Sequence, residues 1–207
     1  MHDQRPRRLP FQPLGRSGLS TPWFFATALG ITALDLVSKA WAWGIVEADG
    51  RYLRVLPEEP MRRLVPVIDG FFFIAREENT GTLWGLFQDY TLPLTLLRIG
   101  MVLFLVGFAA SLLRERRLAV FGLGLVLGGA LGNLHDNLFA LDGVKNVGAV
   151  RDFLDFYLPL PWLDRPYHYP TFNVADASIL IGAVLLFFGL GERKPAAAGD
   201  QAGTEAG

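Results

Sequence analysis

The sequence contains no cysteine, which excludes disulfides, thiolate nucleophiles and every thiolate-ligated zinc or iron–sulfur centre. Histidine is scarce too. His2, His135 and His168 are the complete set, and none stands in a His-Glu-x-x-His pair, so a zinc metalloprotease has little to be built from. Charge of one sign is also lacking: 19 Lys and Arg stand against 20 Asp and Glu, for a net charge of −1. Nothing in that balance would neutralise a phosphate backbone, so nucleic acid is not expected as a partner. No internal repeat is present. What abounds is apolar, with 51% of residues hydrophobic and a mean hydropathy of +0.32. These residues gather into long blocks separated by charged, proline-containing stretches, the distribution of a membrane protein.

A hydrocarbon core about 30 Å thick needs about 20 apolar residues in a helix. Four stretches meet this, at about 23–46, 92–113, 118–140 and 172–190. The expected fold class is therefore an all-α membrane protein of four transmembrane helices, with outer segments at 47–91 and 141–171. The first stretch follows Arg5, Arg7, Arg8 and Arg16 and has the outline of a signal peptide, but its length and the internal Asp35 and Lys39 mark it as retained. Arg114, Arg116 and Arg117 sit between the second and third stretches, and Arg193 and Lys194 follow the fourth. The positive-inside rule then puts both termini and the middle turn in the cytoplasm. Residues 1–22 form a basic cytoplasmic tail, 23–194 the membrane domain, and 195–207 a tail rich in Ala and Gly that is expected to be disordered. In the first outer segment, Phe71-Phe72-Phe73-Ile74 reads as a short strand at the membrane surface.

Ionisable groups inside a span are expensive, which makes each a functional candidate. At about 1.5 Å per residue, Asp35 and Lys39 fall in the outer half of the first span. Asn133 and Asp136 lie in the last two turns of the third, and Asn173 and Asp176 in the first two turns of the fourth. Each Asn stands three residues from its Asp and so shares a helix face with it. Gly128, Gly129, Ala130 and Gly132 lie just below Asp136, and small residues let helix backbones approach. Three helices thus bring polar groups to one level. If Asp136 and Asp176 meet, two close carboxylates cannot both ionise, and the pair shares a proton. Such a pair can activate water against a peptide carbonyl.

These residues resemble the lipoprotein signal peptidases, the signal peptidase II family. Asp35-Leu-Val-Ser-Lys39 resembles an Asp-x-x-x-Lys motif, and Asn79-Thr-Gly81-Thr-Leu-Trp84 resembles Asn-x-Gly-Ala-Ala-Phe. Gly128-Gly-Ala-Leu-Gly132-Asn133-Leu-His-Asp136 is similar to Gly-Gly-x-x-Gly-Asn-x-x-Asp. Val150-Arg-Asp152-Phe153 is similar to Val-x-Asp-Phe, and Phe172-Asn173-Val-Ala175-Asp176 to Phe-Asn-x-Ala-Asp. The resemblance implies an aspartic endopeptidase of the bacterial inner membrane with a small β-cradle in the first outer segment and no cofactor. The implied substrate is a prolipoprotein cut just before a cysteine that carries diacylglycerol. The catalytic residues are expected at Asp136 and Asp176, near the outer face. Asp35, Lys39, Asn79, Gly81, Asn133, Asp152, Phe172, Asn173 and Ala175 are expected to bind substrate or support the site. The expected partners are lipid-modified prolipoproteins and membrane lipid, with the enzyme a monomer. The resemblance departs at Asn137, where the family carries Arg; Arg98 and Arg151 are the candidates to supply that charge.

Bland readings accompany each motif. Asp35 and Lys39, four apart, read most simply as an internal ion pair that eases insertion. Asn79 and Gly81 read equally as a turn, and Asp152 as a solvated loop acid. A proton-coupled transporter would also hold intramembrane acids, but it needs polar residues through the full depth, and the third and fourth spans are apolar below their outer turns. The Gly15-Arg-Ser17-Gly18 run spells the Gly-x-Ser-Gly pattern of rhomboid proteases, but it lies in the arginine-rich tail ahead of the first span rather than on a buried helix and is read as coincidence.

Overall fold

The computed structural model describes residues 21–80, 91–112, 116–139 and 148–191. Helix α1 covers Pro22–Asp49 and opens with proline at its first position, where the missing N–H costs nothing. At 28 residues it is about 42 Å long, more than a hydrocarbon core of about 30 Å requires. Its surplus turns carry Ala42, Trp43 and Val46 out of the helical bundle, where they pack against Ile74 and Phe153 of a β-sheet. The helix therefore ends three residues later than hydropathy places it. Helices α2 (Thr91–Ser111), α3 (Arg117–Leu138) and α4 (Val174–Gly191) complete the bundle.

Helices α1, α3 and α4 are long and apolar enough to cross a membrane, and α2 has a shorter apolar stretch at Thr95–Ser111. Large apolar side chains point outward, among them Leu29, Val37, Leu103, Phe104, Leu180 and Phe187. Such an apolar exterior is costly in water and suited to lipid. The chain is a multi-pass membrane protein. Helix α3 is central and packs against α1, α2 and α4. Its glycines permit this: a Cβ added at Gly129 would lie 2.5 Å from the Ala175 carbonyl oxygen of α4, and one at Gly132 would run into the Asp35 carboxylate of α1. At the opposite end of the bundle, Arg116 donates to the carbonyls of Gly189 and Leu190, satisfying the last turn of α4.

Five strands form one antiparallel sheet in the order β1 (Arg51–Leu53), β2 (Arg62–Ile68), β3 (Phe72–Asn79), β4 (Val150–Leu158) and β5 (Tyr167–Phe172). The sheet answers to the small β-cradle that the resemblance implies, but is larger than expected. The strand read at 71–74 exists, but it is one of five, and both outer segments contribute to the sheet. The aromatics β4 and β5 share explain the underestimate, because a short apolar run does not by itself distinguish strand from helix. Phe172, read as the start of the fourth span, is the last residue of β5, and its ring stacks at 5.8 Å on Phe156. β4 is the most buried strand, and in register with it Asn79 faces Val150, Glu78 faces Arg151 and Glu77 faces Asp152. A bulge between Ile74 and Glu77 shifts the register next to that segment, a device that re-aims side chains.

Candidate active site

The site begins at the N-terminus of α4, whose first N–H groups have no partners within the helix. Asn173 precedes the helix and caps it: Asp176 N donates to Asn173 Oδ1 at 2.9 Å, and Asn173 N donates back to Asp176 Oδ2 at 3.2 Å. This reciprocal pair is a capping box built from Asn and Asp. A further orphan N–H, that of Ala175, donates to Asp35 Oδ1 of α1 at 2.9 Å. The spacing of Asn173 and Asp176 thus serves the local fold as well as the site, and the positive end of the helix favours acids there. Asn133 of α3 adds a second donor to Asp176, from Nδ2 to Oδ1 at 2.9 Å.

Asp35, Lys39 and Asp136 are buried together. The Lys39 ammonium has three protons and three partners: Asp35 Oδ2 at 2.7 Å, Asn133 Oδ1 at 2.9 Å and Asp136 Oδ2 at 3.2 Å. Asp136 meets Arg151 through three further donors. Arg151 N and Nε reach its Oδ2 at 3.0 and 3.2 Å, and Nη2 reaches its Oδ1 at 2.7 Å. Three of these donors, Lys39 Nζ among them, converge on Oδ2 and Arg151 Nη2 holds Oδ1, so cations bind both oxygens and Asp136 is an anchor between α1, α3 and β4. His135, 3.7 Å away, is beyond hydrogen-bond length.

Asp152 is buried in β4 and differs in kind. It accepts from two neutral amides, Asn79 Nδ2 on Oδ2 at 3.0 Å and Asn173 Nδ2 on Oδ1 at 2.6 Å. Asn173 therefore touches both Asp152 and Asp176, each of which accepts from two donors among the described residues. Burial, and after it the nearby charge of Asp176, push the Asp152 carboxyl up to about 7. The carboxylate that acts on Asp176's neighbourhood from β4 is thus Asp152, while the partners of Asp136 are the two cations.

Arg151 and Arg98, the candidates to supply the missing arginine's charge, take different partners. Arg151 pairs with Asp136, whereas Arg98 of α2 donates to Asn137 Oδ1 at 2.5 Å. Asn79, Asn133, Asp152, Asn173, Ala175 and Asp176 are drawn together with Asp35 and Lys39. Phe172 supports from the sheet, and Gly81 lies outside the described residues. Sequence reading missed a second polar network outward of Asp152. Arg62 Nη1 meets Asp155 Oδ2 at 3.1 Å and its Nη2 meets Glu77 Oε1 at 2.6 Å, while His168 lies 2.7 Å from both Asp155 and Glu59. Its signal in the sequence is a second acid, Asp155, close after Asp152 in the apolar run Val150–Leu158. An open groove of about 390 Å³ runs here, with Glu59, Arg62, Glu77, Asn79, His168 and Asp152 among its walls.

A protein-family model described as signal peptidase (SPase) II matches residues 27–190. The chain belongs to the signal peptidase II family. It is 30% identical over 164 residues to the lipoprotein signal peptidase of Geobacillus thermodenitrificans (strain NG80-2), a match that covers 79% of this chain and 86% of that protein. Two solved bacterial membrane enzymes share the fold. One superposes with a TM-score of 0.61 at 24% identity, covering 81% of this chain and 87% of the other. The second gives 0.60 at 23% identity, covering 83% and 94%. Membership in the signal peptidase II family makes the chain a membrane protease and supports the cleavage of lipoprotein signal peptides as its activity.

Proposed function

We propose that this chain removes signal peptides from prolipoproteins whose cysteine already carries diacylglycerol, using Asp152 and Asp176 as an aspartyl pair. This replaces the pair Asp136 and Asp176 expected from helix spacing. The observation that carries the reading is the contrast in donors: both oxygens of Asp136 are held by the cations Lys39 and Arg151, whereas Asp152 and Asp176 flank one asparagine and are held by neutral amides. Neutral donors accommodate either protonation state.

In the proposed reaction the ionised member of the pair takes a proton from water, which attacks the carbonyl carbon before the lipidated cysteine. The protonated member donates to the carbonyl oxygen, and a proton then passes to the leaving amine as the C–N bond breaks. With Asp152 raised to about 7, the pair retains one proton near neutral pH. Asn79, Asn133 and Asn173 orient the two carboxyls. The Asp35–Lys39–Asp136–Arg151 cluster fixes α1, α3 and β4 around them. In this reading all four helices span the bacterial inner membrane, both termini are cytoplasmic, and the site lies near the outer face. The lipidated substrate enters from the bilayer to a monomeric enzyme.

The test is a gel-shift assay in lipid that offers the purified protein a diacylglyceryl-modified prolipoprotein and its unlipidated form. Cleavage confined to the lipidated substrate is expected. Equal cleavage of both would refute the proposed substrate class.

A further inference from the structure

Helix α2 brings a third cation to the site. Arg98 is half-buried and donates from Nη1 to Asn137 Oδ1 at 2.5 Å, and Asn137 donates from Nδ2 to the Gly148 carbonyl at 2.6 Å. Gly148 adopts φ +84°, a backbone angle suited to glycine, in the turn that opens β4, four residues before Asp152. The buried amide of Asn137 is thus a coupler. One end holds a cation on α2, the other holds the backbone that delivers Asp152, and leaving either end unpaired in the interior would be costly.

The other cations nearby are committed elsewhere. Lys39 has all three donors engaged, Arg151 is bound to Asp136, and Arg62 to Asp155 and Glu77. Among the described residues Arg98 forms no ion pair, and the anions whose charges reach it are Asp176 and Asp152. A cation within charge range of a carboxylate pair, but not consumed by a contact with it, favours loss of the pair's proton without blocking the atoms that react.

We propose that Arg98 is a positioning residue for the aspartyl pair: held by Asn137, which also holds the turn that delivers Asp152, its guanidinium sets how readily the pair releases its proton. The proposal rests on the aspartyl-pair reading above. Among the described residues the other charged or titratable groups around the pair are Lys39 and Asp35 on α1, Asp136 on α3, Glu59 ahead of β2, Arg62 on β2, Glu77 and Glu78 on β3, Arg151 on β4 and His168 on β5. All of these stay unchanged when Arg98 is replaced.

The experiment is an infrared difference titration of the full-length protein in lipid nanodiscs, with the Asp152 carboxyl band assigned by its loss in Asp152→Asn. Arg98→Gln, which keeps a hydrogen-bond donor but no charge, is expected to raise the midpoint by about one unit. Arg98→Lys should return it toward wild type, since charge and not shape is the agent. Asn137→Ala, which frees the guanidinium, should shift it upward by less. A midpoint unmoved in Arg98→Gln overturns the proposal; if that variant does not fold, an unmoved midpoint in Asn137→Ala does so instead. The titration needs no substrate, so its failure is separable from failure of the aspartyl-pair reading, which would appear as cleavage persisting in Asp152→Asn.

Discussion

Asp136 and Asp152 are both buried carboxylates within the same few residues of space around α3 and β4, yet their surroundings assign them opposite work. Two cations fix Asp136, so Asp136→Asn should take from buried Arg151 its carboxylate partner and leave Lys39 with Asp35 alone. A loss of about 3–5 kcal/mol in stability is expected, read as a lower denaturation midpoint in detergent. Asp152→Asn removes a carboxyl that burial already disfavours as an anion, and should cost far less stability while abolishing cleavage. The pH response follows from the same position. Because its folded value lies above the ordinary 3.8, the stability Asp152 lends is complete below that ordinary value and declines as pH rises toward about 7. Cleavage should fall about tenfold per pH unit above about 7 as the pair loses its last proton, checked by kcat/KM across pH 5 to about 9. Helix spacing points to Asp136 rather than the proposed Asp152 because Asn133/Asp136 and Asn173/Asp176 look equivalent in sequence. Which donors reach each carboxylate depends on where β4 crosses the helix ends, and no local pattern encodes that. Asp152 escaped the depth criterion because it stands on a strand.

The four helices were legible as elements because hydropathy over about 20 residues reports a span directly. The sheet was legible in one strand only, since its pairing joins segments about 80 residues apart across two helices. The α3 glycines were readable as packing residues, and their role can be tested. Gly129→Leu would force its side chain into the Ala175 backbone at the root of α4. A loss of about 1–3 kcal/mol or more and a fall in activity through a displaced Asp176 are expected. In the sheet, Arg62→Met would leave Asp155 buried without its guanidinium, costing about 3–5 kcal/mol. This network also responds to pH in two directions. Burial would push Asp155 up, but the bond from His168 and the charge of Arg62 outweigh it and hold the carboxyl low. Its contribution is therefore lost as pH falls through that lowered value. His168 is raised, chiefly by its bond to Asp155, so its contribution is complete below its ordinary value and lost as pH climbs through the raised one. Thermal melts should show a plateau between these limits, and His168→Gln should erase its alkaline edge.

At the scale of the whole molecule, α1 links membrane and surface: its inner turns pack in the bundle and its outer turns carry the sheet that supplies Asp152. The absence of cysteine gives a direct test of sidedness. Single cysteines introduced at Asp69 and in the 195–207 tail should label oppositely in intact cells with a membrane-impermeant maleimide, the first accessible and the second protected; equal labelling would refute the proposed topology. The central claim is that Asp152, not Asp136, partners Asp176, and it is tested most directly by cleavage of a lipidated prolipoprotein by Asp136→Asn, Asp152→Asn and Asp176→Asn at matched amounts of folded protein. The account predicts that Asp152→Asn and Asp176→Asn are inactive at every temperature, while Asp136→Asn retains measurable cleavage below its lowered melting point. Full activity in Asp152→Asn, with none in folded Asp136→Asn, would contradict it.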